Sequence, residues 1–92
     1  MEQPWFVYIL QSEKDGSYYI GSTYDVTWRL WRHNDGWSPS TKGKRPWKVV
    51  HVEEYPSKHA AVVREMAIKR MKSRKHIEQL VAGGRPDAAP KH

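Results

Sequence analysis

The chain has 92 residues, with 16 lysines and arginines, 10 aspartates and glutamates, and no cysteine. This length predicts one small domain with a modest core. The lack of cysteine excludes disulfides and thiolate metal sites and fits a reducing cytoplasm. No apolar run approaches the roughly 20 residues of a membrane span, and the apolar segment 5–10 is too short for a signal-peptide core.

The charge is unevenly distributed along the chain. Residues 1–28 contain one base and four acids, a net charge of −3, whereas residues 29–92 contain fifteen bases and six acids, a net charge of +9. A small basic domain most often binds a polyanion, and nucleic acid is the commonest one.

The first half of the chain predicts a hairpin followed by a helix. Segment 5–10 is rich in β-branched and aromatic residues, which is typical of a strand buried on both faces. The Asp15-Gly16 pair predicts a hairpin turn into a second strand at 18–22. Asp25 is a good N-cap for a helix from Val26 to about Asn34, whose apolar residues facing the sheet would be Val26, Leu30 and Trp31.

The second half predicts one more strand and two helices. Residues 36–46 hold two glycines, two prolines and three bases, which indicates an exposed basic loop. Residues 47–55 form a third predicted strand, with Val49 and Val50 in the core. Ser57 caps a helix to about Met71 that would pack on the sheet through Val63, Met66, Ala67 and Met71.

A last short helix, capped by Ser73 and ending at Val81, completes the predicted domain. We therefore expect a single α+β domain at 1–82, a three-stranded antiparallel sheet flanked by helices in the order ββαβαα. Residues 83–92 are polar and are expected to be a disordered tail.

Two tyrosines and a glycine form the first group with potential chemistry. Tyr8 and Tyr19 lie on the paired strands at positions that bring two phenols near one end of the sheet, where a phenol can donate, accept or act as a base. Tyrosine is also simply a good strand former. Gly21 marks either a close approach by a ligand such as phosphate or a plain strand exit.

Arg29 and His33 lie four residues apart on the first helix and therefore share a face. Arginine binds phosphate in a bidentate manner, and histidine can position water or move a proton. The alternative is a surface ion pair between Arg29 and Asp25.

Glu65 is the single carboxylate in segment 64–75, which carries six bases. A carboxylate beside a nucleic-acid surface repels phosphate unless a divalent cation lies between them, and Mg²⁺ needs only one or two protein carboxylates. The alternative is an ion pair with Lys69. No zinc site is expected, because the histidines lack ligand spacing.

These residues, in this order, resemble the GIY-YIG nuclease family. The resemblance runs from about residue 5 to residue 81 and is carried by Phe6-Val-Tyr8, Tyr19-Ile-Gly21, Arg29, His33 and Arg64-Glu65. It is closest to the small stand-alone bacterial proteins related to the nuclease module of the excision-repair incision subunit.

The resemblance implies metal-dependent hydrolysis of phosphodiester bonds at one active site. It implies that Tyr8 and Tyr19 lie at the reacting centre, one of them as general base or water-orienting phenol. Arg29 would stabilise the pentavalent phosphate, His33 would assist the base or bind phosphate, and Glu65 would hold a single Mg²⁺ or Mn²⁺ ion.

Two positions depart from the family pattern. Phe6 replaces the glycine of the first motif, which a strand tolerates. Ser22 stands where the excision-repair branch carries a lysine that helps catalysis, so Lys69 or Lys72 would have to supply that cation.

Three functions follow from the sequence. The first is an endonuclease acting on DNA, with a possible place in repair or recombination; the second is a nucleic-acid-binding module with weak or no catalysis; the third is an accessory subunit docked on a larger repair complex. The expected DNA-binding residues are Lys42, Lys44, Arg45, Lys69 and Lys72. Trp28, Trp31 and Trp37 could stack on unpaired bases, although two of the three are expected in the core.

Overall fold

A computed structural model describes residues 3–83 of the chain. Three strands and four helices follow one another as β1 (Trp5–Ser12), β2 (Tyr18–Thr23), α1 (Val26–Asn34), α2 (Pro39–Lys42), β3 (Trp47–Tyr55), α3 (Lys58–Met71) and α4 (Arg74–Gly83). Within these residues no helix is long and apolar enough to cross a membrane.

The central strand of the sheet is β1, which pairs antiparallel with β2 on one side and β3 on the other. Residues Val7 to Leu10 of this strand are fully buried, because helices cover both faces of the sheet. The predicted α+β class, the three-stranded antiparallel sheet and the double burial of the first strand are confirmed.

The two faces of the sheet carry two separate parts of the core. On one face Val7, Ile9 and Ile20 pack against Ala61 and Ile68 of α3. On the other face Tyr8, Leu10 and Trp47 pack against the side chains of α1, including Leu30. The catalytic candidates of β1 and α1 therefore meet on the second face.

The predicted helix caps are present. The Asp25 side chain accepts a hydrogen bond from the Trp28 backbone N–H, and that of Ser57 accepts one from Ala60 N–H. Ser73 does the same for His76 N–H at the start of α4. Each side chain satisfies a backbone donor that the first helical turn leaves free.

The expected exposed loop at 36–46 is wrong in part. It contains the short helix α2, which begins with Pro39 at a position where proline fits, and it buries the Thr41 side chain. Trp47 accounts for this burial, since its indole N–H donates to the Thr41 carbonyl at 2.9 Å.

Three of the four sheet-facing residues expected on α3 are also wrong. Val63, Met66 and Met71 are exposed, whereas Ala61 and Ile68 are buried. In β3 the buried residues are Trp47 and His51, and the valines at 49 and 50 are only half-buried. The helix α4 continues to Gly83, and the rest of the tail expected at 83–92 lies outside the described residues.

Candidate active site

Tyr8 occupies the centre of the candidate site. It lies opposite Gly21 in the β1–β2 register, and a Cβ atom added to Gly21 would lie 2.5 Å from the Tyr8 hydroxyl oxygen. The space at this glycine is therefore filled by the phenol of Tyr8, and not by the phosphate that the sequence suggested. Tyr19 lies opposite Leu10, so the two tyrosines are diagonal neighbours with ring centroids 6.4 Å apart.

A chain of buried hydrogen bonds leads from Tyr8 to α2. The Tyr8 hydroxyl is 3.2 Å from His33 Nε2, and His33 Nδ1 is 2.9 Å from the hydroxyl of Thr41. The Thr41 hydroxyl donates to the Ser38 carbonyl at 3.4 Å, so it accepts from His33. This order assigns the proton to Nδ1 of His33 and leaves Nε2 to accept from Tyr8.

The two buried titratable groups that these hydrogen bonds connect, Tyr8 and His33, are both neutral near pH 7. Burial raises the pKa of Tyr8 to about 12, although the charge of Arg29 acts in the opposite direction. Burial also lowers the pKa of His33, and the charges of Arg29 and Arg32 lower it further. These protonation states agree with the direction of the hydrogen bond, in which the neutral phenol of Tyr8 donates to the neutral imidazole of His33.

Tyr19 is the more accessible of the two phenols. Its ring centroid is 4.8 Å from that of His33, and the residue is half-buried, whereas Tyr8 and His33 are almost completely buried. The five predicted catalytic residues thus form two layers: Tyr8 and His33 lie behind, and Tyr19, Arg29 and Glu65 reach the surface.

Arg29 supplies a positive charge close to this centre. Its charge affects the pKa of both Tyr8 and His33. The expected alternative, an ion pair with Asp25, is not formed, and within residues 3–83 the Arg29 guanidinium has no hydrogen-bond partner. The cation is therefore available to an anionic ligand.

Glu65 approaches the same centre from α3. The Ser22 hydroxyl donates to one carboxylate oxygen at 2.6 Å, and Lys69 Nζ lies 2.7 Å from the other. The negative charge of Glu65 contributes to the raised pKa of Tyr8, as does Tyr19. The alternative ion pair with Lys69 is present, and it places a cation beside the position where the family resemblance leads us to expect a lysine.

The donor set around Glu65 suits a hard divalent cation. A carboxylate and a hydroxyl oxygen are ligands that Mg²⁺ accepts, and water or substrate oxygens complete its shell. Across residues 3–83 there is no cluster of three or more histidine, aspartate or glutamate side chains able to bind a metal, so Glu65 would act as a single carboxylate ligand. Lys69 is half-exposed and would have to leave the carboxylate.

The five expected DNA-binding residues lie on the two sides of this centre. Lys42, Lys44 and Arg45 are exposed around the end of α2, next to Thr41. Lys69 and Lys72 line a cleft of about 230 Å³ between β2 and the junction of α3 and α4.

Two residues of the site were not assigned by sequence reasoning. In the sequence Ser22 is only a departure from a family pattern, and Thr41 lies in the predicted exposed loop. No local signal identifies either residue, because each acquires its contact from another element, 43 residues away for Ser22 and 8 for Thr41.

Comparison with known proteins shows the class of this domain. The GIY-YIG catalytic domain family matches residues 4–78. The chain therefore belongs to the GIY-YIG catalytic domain family, as the sequence resemblance indicated.

The individual relatives are of two kinds. A UPF0213 protein of Halalkalibacterium halodurans is 41% identical over 78 residues, which cover 84% of this chain and 81% of that protein. The solution NMR structure of a UPF0213 protein from Bacillus halodurans is similar with a TM-score of 0.55 and 39% identity, covering 86% of this chain and 83% of that one.

The second kind is longer. The structure-specific endonuclease subunit SLX1 of Phaeosphaeria nodorum is 37% identical over 90 residues, which cover 91% of this chain but 25% of that protein. The present chain thus corresponds to about a quarter of the SLX1 relative.

Proposed function

We propose that the protein is a metal-dependent endonuclease that hydrolyses phosphodiester bonds in DNA. The observation that carries this proposal is that the charges of Arg29 and Glu65 both act on Tyr8, whose ring centroid lies 6.4 Å from that of Tyr19. Membership of a catalytic domain family and similarity to a protein named as an endonuclease subunit support it.

In this proposal each accessible residue has one task. Arg29 binds the non-bridging oxygens of the scissile phosphate and stabilises the charge that develops there. Tyr19 first gives its own proton to solvent; as the phenolate it then orients the attacking water and accepts one proton from it. A divalent ion held by Glu65, Mg²⁺ or Mn²⁺, supplies Lewis-acid stabilisation of the leaving oxygen when it is bound.

The buried residues act through Tyr19. Tyr8 and His33 are not accessible to solvent, so they position Tyr19 and do not contact the phosphate. His33 therefore assists the base and does not bind the phosphate, which are the two roles that the family resemblance implied for it. The basic residues Lys42, Lys44, Arg45 and Lys72 bind the DNA backbone on either side.

A second candidate is a DNA-binding module without catalysis. The observation that favours it is the 2.7 Å contact between Lys69 Nζ and Glu65, because the ammonium group occupies a position where a metal ion would bind. The description of one relative as an endonuclease subunit also supports a protein partner. A place in DNA repair or recombination stays a prediction.

Cleavage assays separate these candidates. Wild type, Glu65→Gln and Glu78→Gln are incubated with single-stranded, duplex and branched DNA, in Mg²⁺, in Mn²⁺ and in a chelator. Glu78 is a matched control because it also forms an i, i+4 ion pair, with Arg74, but on exposed α4. We expect Glu65→Gln to lose at least about a hundredfold in rate, the chelator to abolish cleavage, and Glu78→Gln to cleave normally.

Two other results contradict the proposal of a metal-dependent nuclease. Cleavage that continues in Glu65→Gln or in the chelator means that the metal at Glu65 is not required. Salt-sensitive DNA binding by the wild type without cleavage of any substrate assigns the protein to the binding module instead.

A further inference from the structure

Three tryptophans lie exposed on one surface formed by α1 and the turn after it. Trp28, Trp31 and Trp37 are 43%, 52% and 56% exposed. The expectation that two of them belong to the core is wrong, because the sheet-facing side of α1 is occupied by Val26, Leu30 and His33. A tryptophan buries 150–250 Å² when it is covered, so three exposed indoles indicate a binding surface.

An arginine fixes the orientation of these rings. The guanidinium carbon of Arg32 lies 4.9 Å from the ring centroid of Trp28 and 4.9 Å from that of Trp37. Trp31 and Trp37 are 6.0 Å apart, and the Trp37 indole N–H donates to Asp35 at 2.6 Å. We call these four residues, Trp28, Trp31, Arg32 and Trp37, the tryptophan platform.

The platform is preorganised and cationic. Arg32 Nε is buried and has no hydrogen-bond partner among residues 3–83, so this guanidinium is held mainly by the two rings. Helix α1 contains no acidic residue. A surface of fixed aromatic rings around a positive charge matches a ligand that offers flat rings on a negatively charged chain.

The platform also adjoins the candidate active site along the same helix. Trp28 precedes Arg29, and Arg32 precedes His33, whose neutral form the charge of Arg32 favours. Trp28 and Arg32 lie on the helix face next to that of Arg29 and His33, so a strand whose phosphate reaches Arg29 would bring its neighbouring nucleotides close to the platform.

We propose that the tryptophan platform stacks unpaired nucleobases, so that the preferred substrate is DNA with a single-stranded segment beside the cleaved bond. A base in a duplex has both faces covered by its neighbours and is not available to an indole, whereas an unpaired base is. The cleavage part of this statement rests on the proposed function, but the stacking part does not.

Binding is measured first, without cleavage, in a chelator. The probes are oligo(dT), a blunt mixed-sequence duplex of equal length and the same duplex with an oligo(dT) overhang. The variants are Trp28→Ala and Trp31→Ala, with Trp31→Phe to retain an aromatic ring. Trp5→Phe is the matched control, because Trp5 also carries a cation, Lys58 at 5.2 Å, but packs on the other face of the sheet.

We expect each alanine variant to bind oligo(dT) and the overhang about tenfold more weakly, equivalent to ~1.4 kcal/mol, and the duplex within about twofold of wild type. Trp31→Phe should retain most of the affinity, Trp5→Phe should bind as wild type, and oligo(dT) should quench wild-type tryptophan fluorescence. Thermal unfolding of each variant shows whether its fold is intact.

Equal losses on oligo(dT) and duplex, or no loss on either, would overturn the platform. So would variants that change only the self-association of the protein, measured by sedimentation, because the surface would then bind a second copy of the chain. Cleavage assays on the same probes separate the two proposals. Binding that depends on the platform, without cleavage, supports the platform and contradicts the nuclease. Cleavage that is unchanged by the variants and by unpaired bases supports the nuclease and contradicts the platform.

Discussion

At the scale of single residues, Gly21 shows how one missing side chain creates the site. Its strand position brings the Tyr8 ring over its Cα, and a Cβ atom there would lie 2.5 Å from the Tyr8 oxygen and 2.7 Å from the ring carbon that carries it. Both distances are shorter than van der Waals contact, and the ring is fully buried and has no free space to enter.

Gly21→Ala is therefore expected to displace Tyr8 and to destabilise the protein by about 1–3 kcal/mol. Chemical denaturation measures this loss, and cleavage should fall with it. Gly43→Ala is the control, since a Cβ atom there meets nothing within 4 Å and its φ of −76° suits any residue. Equal stability of the two variants would show that Tyr8 does not need this space.

Thr41 acts on the same centre through the His33 tautomer. Its hydroxyl accepts from Nδ1 and so keeps Nε2 free for the Tyr8 proton. Thr41→Val keeps the shape and removes the acceptor, so we expect the proton to move to Nε2 and the hydrogen bond with Tyr8 to reverse, with Nε2 donating to the phenol oxygen.

The predicted consequence of Thr41→Val is a roughly tenfold slower cleavage with unchanged DNA affinity. Nitrogen NMR shifts of His33 report the tautomer independently of activity. Ser40→Ala is the control, because Ser40 is the exposed neighbour on α2. A variant that cleaves at the wild-type rate while its tautomer has changed would remove His33 from the base-assisting role.

These residues also mark what sequence can and cannot predict about the site. Tyr8, Tyr19, Arg29, His33 and Glu65 were selected because their order and spacing match chemistry that phosphate hydrolysis needs. The layering of the five, with Tyr8 and His33 buried, was not predictable. It depends on how α1 seats on the sheet, which no local pattern specifies.

At the scale of elements, α3 illustrates a wrong choice between two possible helix faces. The sequence offers an apolar stripe through Val63 and Met66 and a second, mixed stripe through Ala61, Glu65 and Ile68. The structure buries the mixed stripe. That orientation directs Glu65 to Ser22 and leaves the apolar stripe exposed. The rotation of the helix therefore determines the position of the carboxylate.

Core substitutions on α3 test this rotation. Ile68→Ala is expected to cost about 2–5 kcal/mol of unfolding free energy, since the side chain is fully buried, whereas Val63→Ala should cost less than about 0.5 kcal/mol. Denaturant titration of both variants gives the comparison. A larger loss for Val63→Ala would mean that the helix packs through the stripe that periodicity favoured.

The other elements were easier to predict from sequence. The hairpin, α1 and β3 have strong local signals, namely Asp15-Gly16, the Asp25 cap and a β-rich run, and their bounds agree with the structure. The helix α2 has the composition of a loop, and the Trp47 indole that donates to it lies outside the helix, so local propensity does not reveal it.

At the scale of the whole molecule, the two carboxylates on the α3 side of the sheet have different surroundings. Glu53 receives hydrogen bonds from His51, Tyr55 and Arg64, and it ties β3 to α3. Glu65 has one hydroxyl and one half-exposed ammonium group. The first carboxylate is saturated by protein donors and serves stability, whereas the second keeps capacity for a cation, which agrees with its proposed role.

The hydrogen bonds that Glu53 accepts make the stability of the protein depend on pH. Burial raises the pKa of Glu53, but the hydrogen bonds from His51, Arg64 and Tyr55 more than offset it, so the pKa falls from 4.5 to about 2. A folded-state pKa below the unfolded one gives stability that is complete above about 4.5 and is lost as the pH falls toward 2. The full difference corresponds to ~3 kcal/mol.

Glu53→Gln is expected to be less stable than wild type at pH 6, and the gap should narrow steadily between pH 4.5 and pH 2. Denaturant unfolding at a series of pH values measures it, with Glu54→Gln, an exposed neighbour on β3, as the baseline. If the difference in stability between Glu53→Gln and the wild type stays constant with pH, the ionisation of Glu53 does not contribute to stability. Because Glu53 does not belong to the candidate site, cleavage by Glu53→Gln at pH 7 should remain near the wild-type rate wherever the variant is folded.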